Sequence, residues 1–99
     1  MTKAYLHLIK FCLSRGMKVS VYDGEEWAVR RSTSYQEIKE AAESVEMARF
    51  RVIDPEGACA MTAVVSCYGL AADETVIDWS DNEFGDAWIE AYEESIGVA

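Results

Sequence analysis

The chain has 99 residues, of which 51% are hydrophobic and 11% aromatic. This composition is sufficient for one domain with its own core, without disulfides or a structural metal. The formal net charge is −9, and a chain this acidic repels nucleic acids and anionic membranes while favouring basic protein surfaces. We therefore expect no direct binding to nucleic acid or to a membrane.

The first predicted element is a helix within the segment TKAYLHLIKFCLSRG. Its polar residues recur at spacings of four, three and four, which places them on one narrow stripe: Lys3, His7, Lys10 and Ser14. Arg15 provides a positive charge that is favourable near the C-terminal end of a helix. Gly16 can adopt the left-handed conformation that ends the helix. The remaining arc is apolar, from Tyr5 to Leu13. So wide an arc indicates a helix that is either central in the fold or in contact with a partner chain.

A first hairpin is predicted in MKVSVYDGEEWAVRR. A two-residue Asp23-Gly24 loop would pair Val21 with Glu26, which mixes apolar and polar side chains. A three-residue loop over residues 22–24, with Gly24 left-handed, separates apolar from polar side chains better because Val19 then faces Trp27. We expect the second register, which also pairs Met17 with Val29 and Ser20 with Glu26.

A second helix is predicted to begin at Ser34, which forms a capping box with Glu37. Its apolar face consists of Tyr35, Ile38, Ala41, Ala42 and Val45. A second hairpin follows, in which MARFRVID alternates apolar and polar residues, PEG turns and ACAMTAVVSC returns. The returning strand is apolar on both faces, so we expect it to be the central strand. YGLAADETVIDW is assigned to a loop, although a short strand around residues 75–77 would fit.

The last helix is predicted to start with a capping box of Ser80 and Glu83 and a hydrophobic staple between Trp79 and Phe84. The predicted inward face is Phe84, Ala87, Trp88, Ala91 and Ser95, and the outward acids are Asp86, Glu90, Glu93 and Glu94. The chain is therefore expected to form one α+β domain over residues 1–99. Its predicted order is helix, hairpin, helix, hairpin, helix, with a mainly antiparallel four-stranded sheet and helices on one face.

The cysteines, Cys12, Cys59 and Cys67, contain no CxxC motif. Cys59 and Cys67 would lie about 27 Å apart on one extended strand, too far to bridge or to share a metal. We expect reduced, buried thiols in a cytoplasmic protein. Lys10 interrupts the first apolar run and no small-residue cleavage site follows, so no signal peptide is expected. No stretch approaches the roughly 20 apolar residues of a membrane span.

Catalytic and metal motifs find no support in this sequence. An EF-hand loop starting at Asp78 would require Gly at the position of Glu83 and Glu at the position of Ile89. His7, the single histidine, shares the polar stripe with lysines, which predicts a solvated side chain rather than a general base. There is no glycine-rich phosphate loop or GxSxG motif. We expect no enzymatic activity, no cofactor and no metal.

Charge segregation is the most unusual feature of the sequence. Residues 1–22 contain four basic residues and no acid, whereas eleven acids and no Lys or Arg follow Arg51. On the last helix Asp86, Glu90 and Glu94 recur every four residues, about 6 Å apart along the axis. Like charges at this spacing cost a few tenths of a kcal/mol per pair. We interpret Asp86, Glu90, Glu93 and Glu94 as a surface for a basic protein partner; a solvated helix face would give the same pattern.

In size and charge the chain resembles the small acidic accessory proteins encoded by bacteriophages, with EFGDAWIEAYEES as the acidic, aromatic-rich C-terminal helix. Several of those proteins occupy host nucleases, polymerases or defence complexes, some as DNA mimics. The likeness contains no diagnostic motif and assigns no residue. It implies a non-enzymatic inhibitor of a nucleic-acid-binding or defence protein. The alternative is a structural protein that self-associates, for example as a homodimer, through the apolar N-terminal helix.

Overall fold

The computed structural model describes residues 3–45, 47–66, 76–80 and 82–95. Its elements in chain order are α1 (Ala4–Ser14), β1 (Lys18–Tyr22), β2 (Trp27–Ser32), α2 (Tyr35–Glu43), β3 (Met47–Ile53), β4 (Cys59–Ser66), β5 (Val76–Trp79) and α3 (Glu83–Ser95). The predicted α+β class is confirmed. None of the helices in these ranges is long and apolar enough to cross a membrane.

The sheet has five antiparallel strands in the order β2-β1-β3-β4-β5. The prediction of four strands is wrong because Val76–Trp79, within the segment assigned to a loop, pairs with β4 as a fifth strand. The predicted second hairpin is confirmed as β3 and β4. The middle of the sheet is β3, not β4 as expected, although β4 also has a neighbour on each side.

The register predicted for the first hairpin is wrong. Val21 pairs with Val29 and Tyr22 pairs with Trp27. The Asp23 carboxylate accepts hydrogen bonds from the backbone N–H groups of Glu25 and Glu26, each at 2.8 Å. These bonds close a four-residue loop over residues 23–26, and they lower the pKa of Asp23.

One face of the sheet forms the core and carries the helices. Alternate strand residues on this face are buried: Val19, Val21, Val29, Ala48, Phe50, Val52, Met61, Ala63 and Val65. Helix α1 is central in the helix layer, since it packs against α2, α3, β1 and β4. Six of its residues are buried: Ala4, Tyr5, Leu8, Ile9, Phe11 and Cys12. The wide apolar arc predicted for this helix is therefore covered by the chain itself.

Two of the predicted helix boundaries are confirmed. Gly16 ends α1 in the left-handed region with φ 75°. At the start of α2, the Ser34 hydroxyl accepts a hydrogen bond from the Glu37 N–H at 3.3 Å.

The start of α3 differs from the prediction. The Asn82 side chain, and not Ser80, caps the helix by accepting a hydrogen bond from the Gly85 N–H at 2.8 Å. The Ser80 hydroxyl instead accepts from the Thr62 N–H at 2.9 Å and so extends the pairing of β4 and β5. In place of the predicted staple with Trp79, Phe84 packs edge-on against Phe11, with ring centroids 5.6 Å apart.

The inward face of α3 is also rotated relative to the prediction. Gly85, Trp88 and Tyr92 are its buried residues, whereas Ala87 and Ser95 are exposed. The two large aromatic side chains gain more from burial than an alanine or a serine, so they determine which side of the helix faces the core.

The cysteine predictions have mixed outcomes. Cys12 is buried as expected, and this burial raises the pKa of its thiol to about 12. Cys59 is exposed at the start of β4, next to the turn, so the prediction of burial is wrong there. Cys67 lies outside the described residues.

Gly85 permits the close approach of α3 to the end of β5, because a Cβ at this position would clash with the Ser80 carbonyl oxygen. Alanine is normally about 1 kcal/mol better than glycine inside a helix. We expect the opposite for Gly85→Ala: a loss of about 1–3 kcal/mol from the clash. Thermal unfolding monitored by circular dichroism measures it. Glu90→Ala, an exposed position on the same helix, serves as control and should stay within about 0.5 kcal/mol. A more stable Gly85→Ala protein would contradict the packing.

Candidate functional site

The acidic helix face consists of Asp86, Glu90, Glu93 and Glu94 on α3, and all four residues are exposed, as the helix pattern predicted. Within the described part of the chain, none of the four carboxylates makes an ion pair or a side-chain hydrogen bond. Their negative charge is therefore left for solvent or for a partner molecule.

The opposite side of α3 is fixed to α1 through His7. The Trp88 Nε1–H donates a hydrogen bond to His7 Nδ1 at 3.2 Å. The Tyr92 ring meets the same imidazole edge-on, with centroids 5.5 Å apart. Because Trp88 and Tyr92 are buried, α3 cannot rotate without breaking these contacts. The acidic helix face thus has a defined orientation.

His7 is half-buried between α1 and α3 and accepts a hydrogen bond from Trp88, so the prediction of a solvated surface residue is wrong. The partial burial lowers the pKa of the imidazole. The hydrogen bond from Trp88 requires an unprotonated Nδ1, since only a lone pair can accept it. In this geometry His7 has a structural role, because it joins α1 to α3 through Trp88 and Tyr92.

Residues 3–45, 47–66, 76–80 and 82–95 contain no group of three His, Cys, Asp or Glu side chains placed together as a metal site would require. The position of Asp81, next to the acidic helix, lies outside the described residues.

The second candidate surface is the open sheet face, the side of the sheet opposite to the one on which α1, α2 and α3 pack. Cross-strand neighbours place Tyr22 beside Arg49, Arg49 beside Val64, and Val64 beside Asp78. Arg51 lies in the next row between Ser20 and Thr62. A groove of about 320 Å³ runs over Trp27, Arg49, Arg51, Thr62, Val64 and Asp78. Tyr22 and Trp27 form an edge-to-face pair with ring centroids 5.2 Å apart.

A β-bulge brings two more arginines to this face. Val19 pairs with Ser32 and Val21 pairs with Val29, so Arg30 and Arg31 together oppose the single residue Ser20. Arg31 has a left-handed φ of 48°, and its N–H donates to the Ser20 hydroxyl at 2.8 Å. As a result Arg30 and Arg31 both line the groove above Ser20.

The sequence pattern indicated only part of this basic surface. The alternation in MARFRVID predicted that Arg49 and Arg51 share a face, which the burial pattern of β3 confirms. Adjacent strand residues such as Arg30 and Arg31 normally point to opposite faces. The bulge has no glycine to mark it, so the convergence of the arginines required coordinates.

Replacing His7 with glutamine should remove a pH-dependent part of the stability. The folded-state pKa of His7 lies below its ordinary value of 6.5. The unfolded state therefore binds a proton more readily, and the His7 contribution is fully present above the unfolded pKa and lost as the pH falls through the folded pKa. Urea unfolding at several values between about pH 8 and pH 5 should show the free-energy advantage of the wild type over His7→Gln shrinking with acidification.

Lys10→Gln is the matched control, because it introduces the same side chain at an exposed position of the same helix. Its difference from the wild type should be independent of pH. A difference between wild type and His7→Gln that stays constant or grows towards low pH would contradict the contact with Trp88.

Comparison with known proteins assigns no function to these two surfaces. No family model, no curated protein and no solved structure matches the chain.

Proposed function

We propose that this chain is a non-enzymatic protein-binding module that presents its acidic helix face to a basic surface of another protein. One observation carries the proposal: four exposed carboxylates project from one side of α3 without an ion pair in the described chain. The other side of the helix is anchored by Trp88 and Tyr92. A helix that is already held in one orientation is suited to recognition because the protein does not have to order the helix on binding.

The spacing of the carboxylates suggests the class of partner. Asp86, Glu90 and Glu94 are separated by about 6 Å along the helix axis. Repeated negative charge at short intervals is also what a nucleic acid backbone offers to the Lys and Arg residues that bind it. We therefore propose a nucleic-acid-binding or defence protein as the partner, and inhibition by occupation of its basic site as the effect.

Self-association through α1 receives no such support. The apolar arc from Tyr5 to Leu13 motivated that alternative, and most of it is buried against the sheet and the other two helices. The partly buried residues of the arc, Leu6 and Leu13, also pack against the core cluster.

Charge reversal of the acidic helix face should abolish binding to the partner without unfolding the chain. The variant Glu90→Lys, Glu93→Lys, Glu94→Lys changes three exposed side chains, so its melting temperature should remain close to that of the wild type. Affinity capture from cell lysate, with identification by mass spectrometry, should recover a basic nucleic-acid-binding or defence protein with the wild type only.

A second triple variant with the same change of net charge is the control: Glu25→Lys, Glu40→Lys, Glu56→Lys. These residues are exposed and lie outside α3. The control should retain the partner. Undiminished capture by the folded α3 variant would refute the proposed surface, and equal loss with both variants would show that net charge alone is responsible.

Salt should affect the kinetics of this complex in a characteristic way. The screening length falls from about 30 Å at 0.01 M to about 8 Å at 0.15 M ionic strength. Association steered by opposite charges should therefore slow steeply over this range, as measured by surface plasmon resonance with the captured protein. The same salt should slightly stabilise the free chain by screening its excess acids. An association rate that does not respond to salt would contradict the acidic contact.

A further inference from the structure

The groove above Ser20 on the open sheet face is lined by three arginines. It measures about 80 Å³ and is lined by Ser20, Trp27, Arg30, Arg31, Arg51, Ile53 and Gly57. Arg51 approaches from β3, as the neighbour of Ser20 on one side. Arg30 and Arg31 approach from β2 on the other side, where the bulge places both of them. Three arginines from the two neighbouring strands of β1 thus line the groove above one small residue.

The three arginines have no anionic partner within the part of the chain that the structure describes. None of them makes an ion pair or donates a side-chain hydrogen bond there. Asp54 belongs to the turn that contributes Gly57 to the groove wall. Its Oδ1 accepts hydrogen bonds from the backbone N–H groups of Glu56 and Ala58, both at 2.9 Å, and so closes its own turn. In a chain with 18 acids and 9 basic residues, arginines clustered without a carboxylate require an explanation.

The hydrogen-bonding groups of the groove are predominantly donors. Each guanidinium has five N–H groups and no acceptor. The Ser20 hydroxyl oxygen already accepts the Arg31 backbone N–H at 2.8 Å, which leaves its O–H to donate. Donors around a cluster of positive charge suit an oxyanion, and three guanidiniums match the double charge of a phosphate better than the single charge of a carboxylate.

The backbone at Arg31 shows how the bulge brings the arginines together. A non-glycine residue in the left-handed region is strained because its Cβ comes too close to the following carbonyl oxygen, and such strain persists where the surroundings hold it. Here it has a definite effect: it allows two consecutive side chains to line one groove. β-Bulges that redirect side chains in this way are frequent next to binding sites.

We propose that this groove binds the phosphate group of a small phosphorylated ligand with an aromatic ring, a mononucleotide in chemical class. The phosphate occupies the position among Arg30, Arg31 and Arg51. Trp27 lines the same groove, and an indole ring offers a surface on which a base stacks. The site uses no residue of the acidic helix face, so it stands independently of the proposed function.

The test uses the intact chain and three defined probes: inorganic phosphate, adenosine 5′-monophosphate and adenosine. Titration followed by ¹⁵N-resolved NMR should shift the amide signals of Ser20 and Arg31 and the guanidinium signals of the three arginines with the two phosphate-bearing probes. Adenosine 5′-monophosphate should bind several-fold more tightly than phosphate because of the stacking, and adenosine alone should bind most weakly.

Two substitutions isolate the groove. Arg51→Gln should weaken binding of adenosine 5′-monophosphate about tenfold or more, the usual range for a hydrogen bond between charged groups. Arg31→Gly should do the same without disturbing the bulge, because glycine adopts positive φ readily. Arg49→Gln is the control because it removes the same charge from the same face. Arg49 lines the neighbouring groove and is not among the residues that line the groove above Ser20. This control should leave the affinity within about twofold, which is small against the energy of a direct charged hydrogen bond.

Three results would overturn the assignment. The first is the absence of shifts at Ser20, Arg31 and Arg51 with millimolar phosphate and nucleotide. The second is an equal loss of affinity in the Arg49→Gln and Arg51→Gln proteins, which would indicate general attraction to the whole face. The third is tighter binding of a single-stranded oligonucleotide without a terminal phosphate than of the mononucleotide. That result would assign the face to the backbone and bases of a nucleic acid strand.

Discussion

The structure depends on the burial of α1 between the sheet and the other two helices. A five-stranded sheet with one apolar face needs a cover, and α1 supplies the middle of that cover with six buried residues. Helix α2 packs on one side of it and α3 on the other. The contacts of His7 with Trp88 and Tyr92 fix the rotation of α3. This one-sided arrangement determines which surfaces remain outside: the outer sides of the helices and the bare face of the sheet.

The same arrangement separates the charges. The acidic helix face lies on the helix layer, whereas Arg30, Arg31, Arg49 and Arg51 belong to the uncovered strands. The shortest principal dimension of the chain is 22 Å, which exceeds the screening length of about 8 Å at physiological ionic strength. Each surface is therefore governed mainly by its own charges. The net charge of −9 determines how strongly the whole chain repels an anion at long range. It does not determine how an anion interacts with the arginines once it is in the groove.

Local patterns predicted those features that depend on neighbouring residues alone. The capping interaction of Ser34, the left-handed Gly16 and the alternation along β3 all involve groups within a few positions of one another. The same holds for the exposure of the four acids on α3. Predictions failed where a side chain had two possible partners. Ser80 could cap α3, but it bonds to the backbone of β4 across the sheet. Asp23 lengthened its loop through two backbone hydrogen bonds, and this displaced the whole register of the first hairpin.

The bulge opposite Ser20 shows why composition could not reveal the basic groove. The regular alternation of side chains along a strand would place Arg30 and Arg31 on opposite faces of β2. The net negative charge of the chain argues against any anionic ligand. One left-handed residue changes both conclusions, because it brings the two side chains to the same side and next to Arg51. Affinity for a small anion is decided by donors at hydrogen-bond distance, where the field of the nearest guanidiniums exceeds that of screened acids on the far side of the sheet. An acidic protein can in this way contain a local site of opposite sign, and the strained backbone at Arg31 is the structural element that creates it.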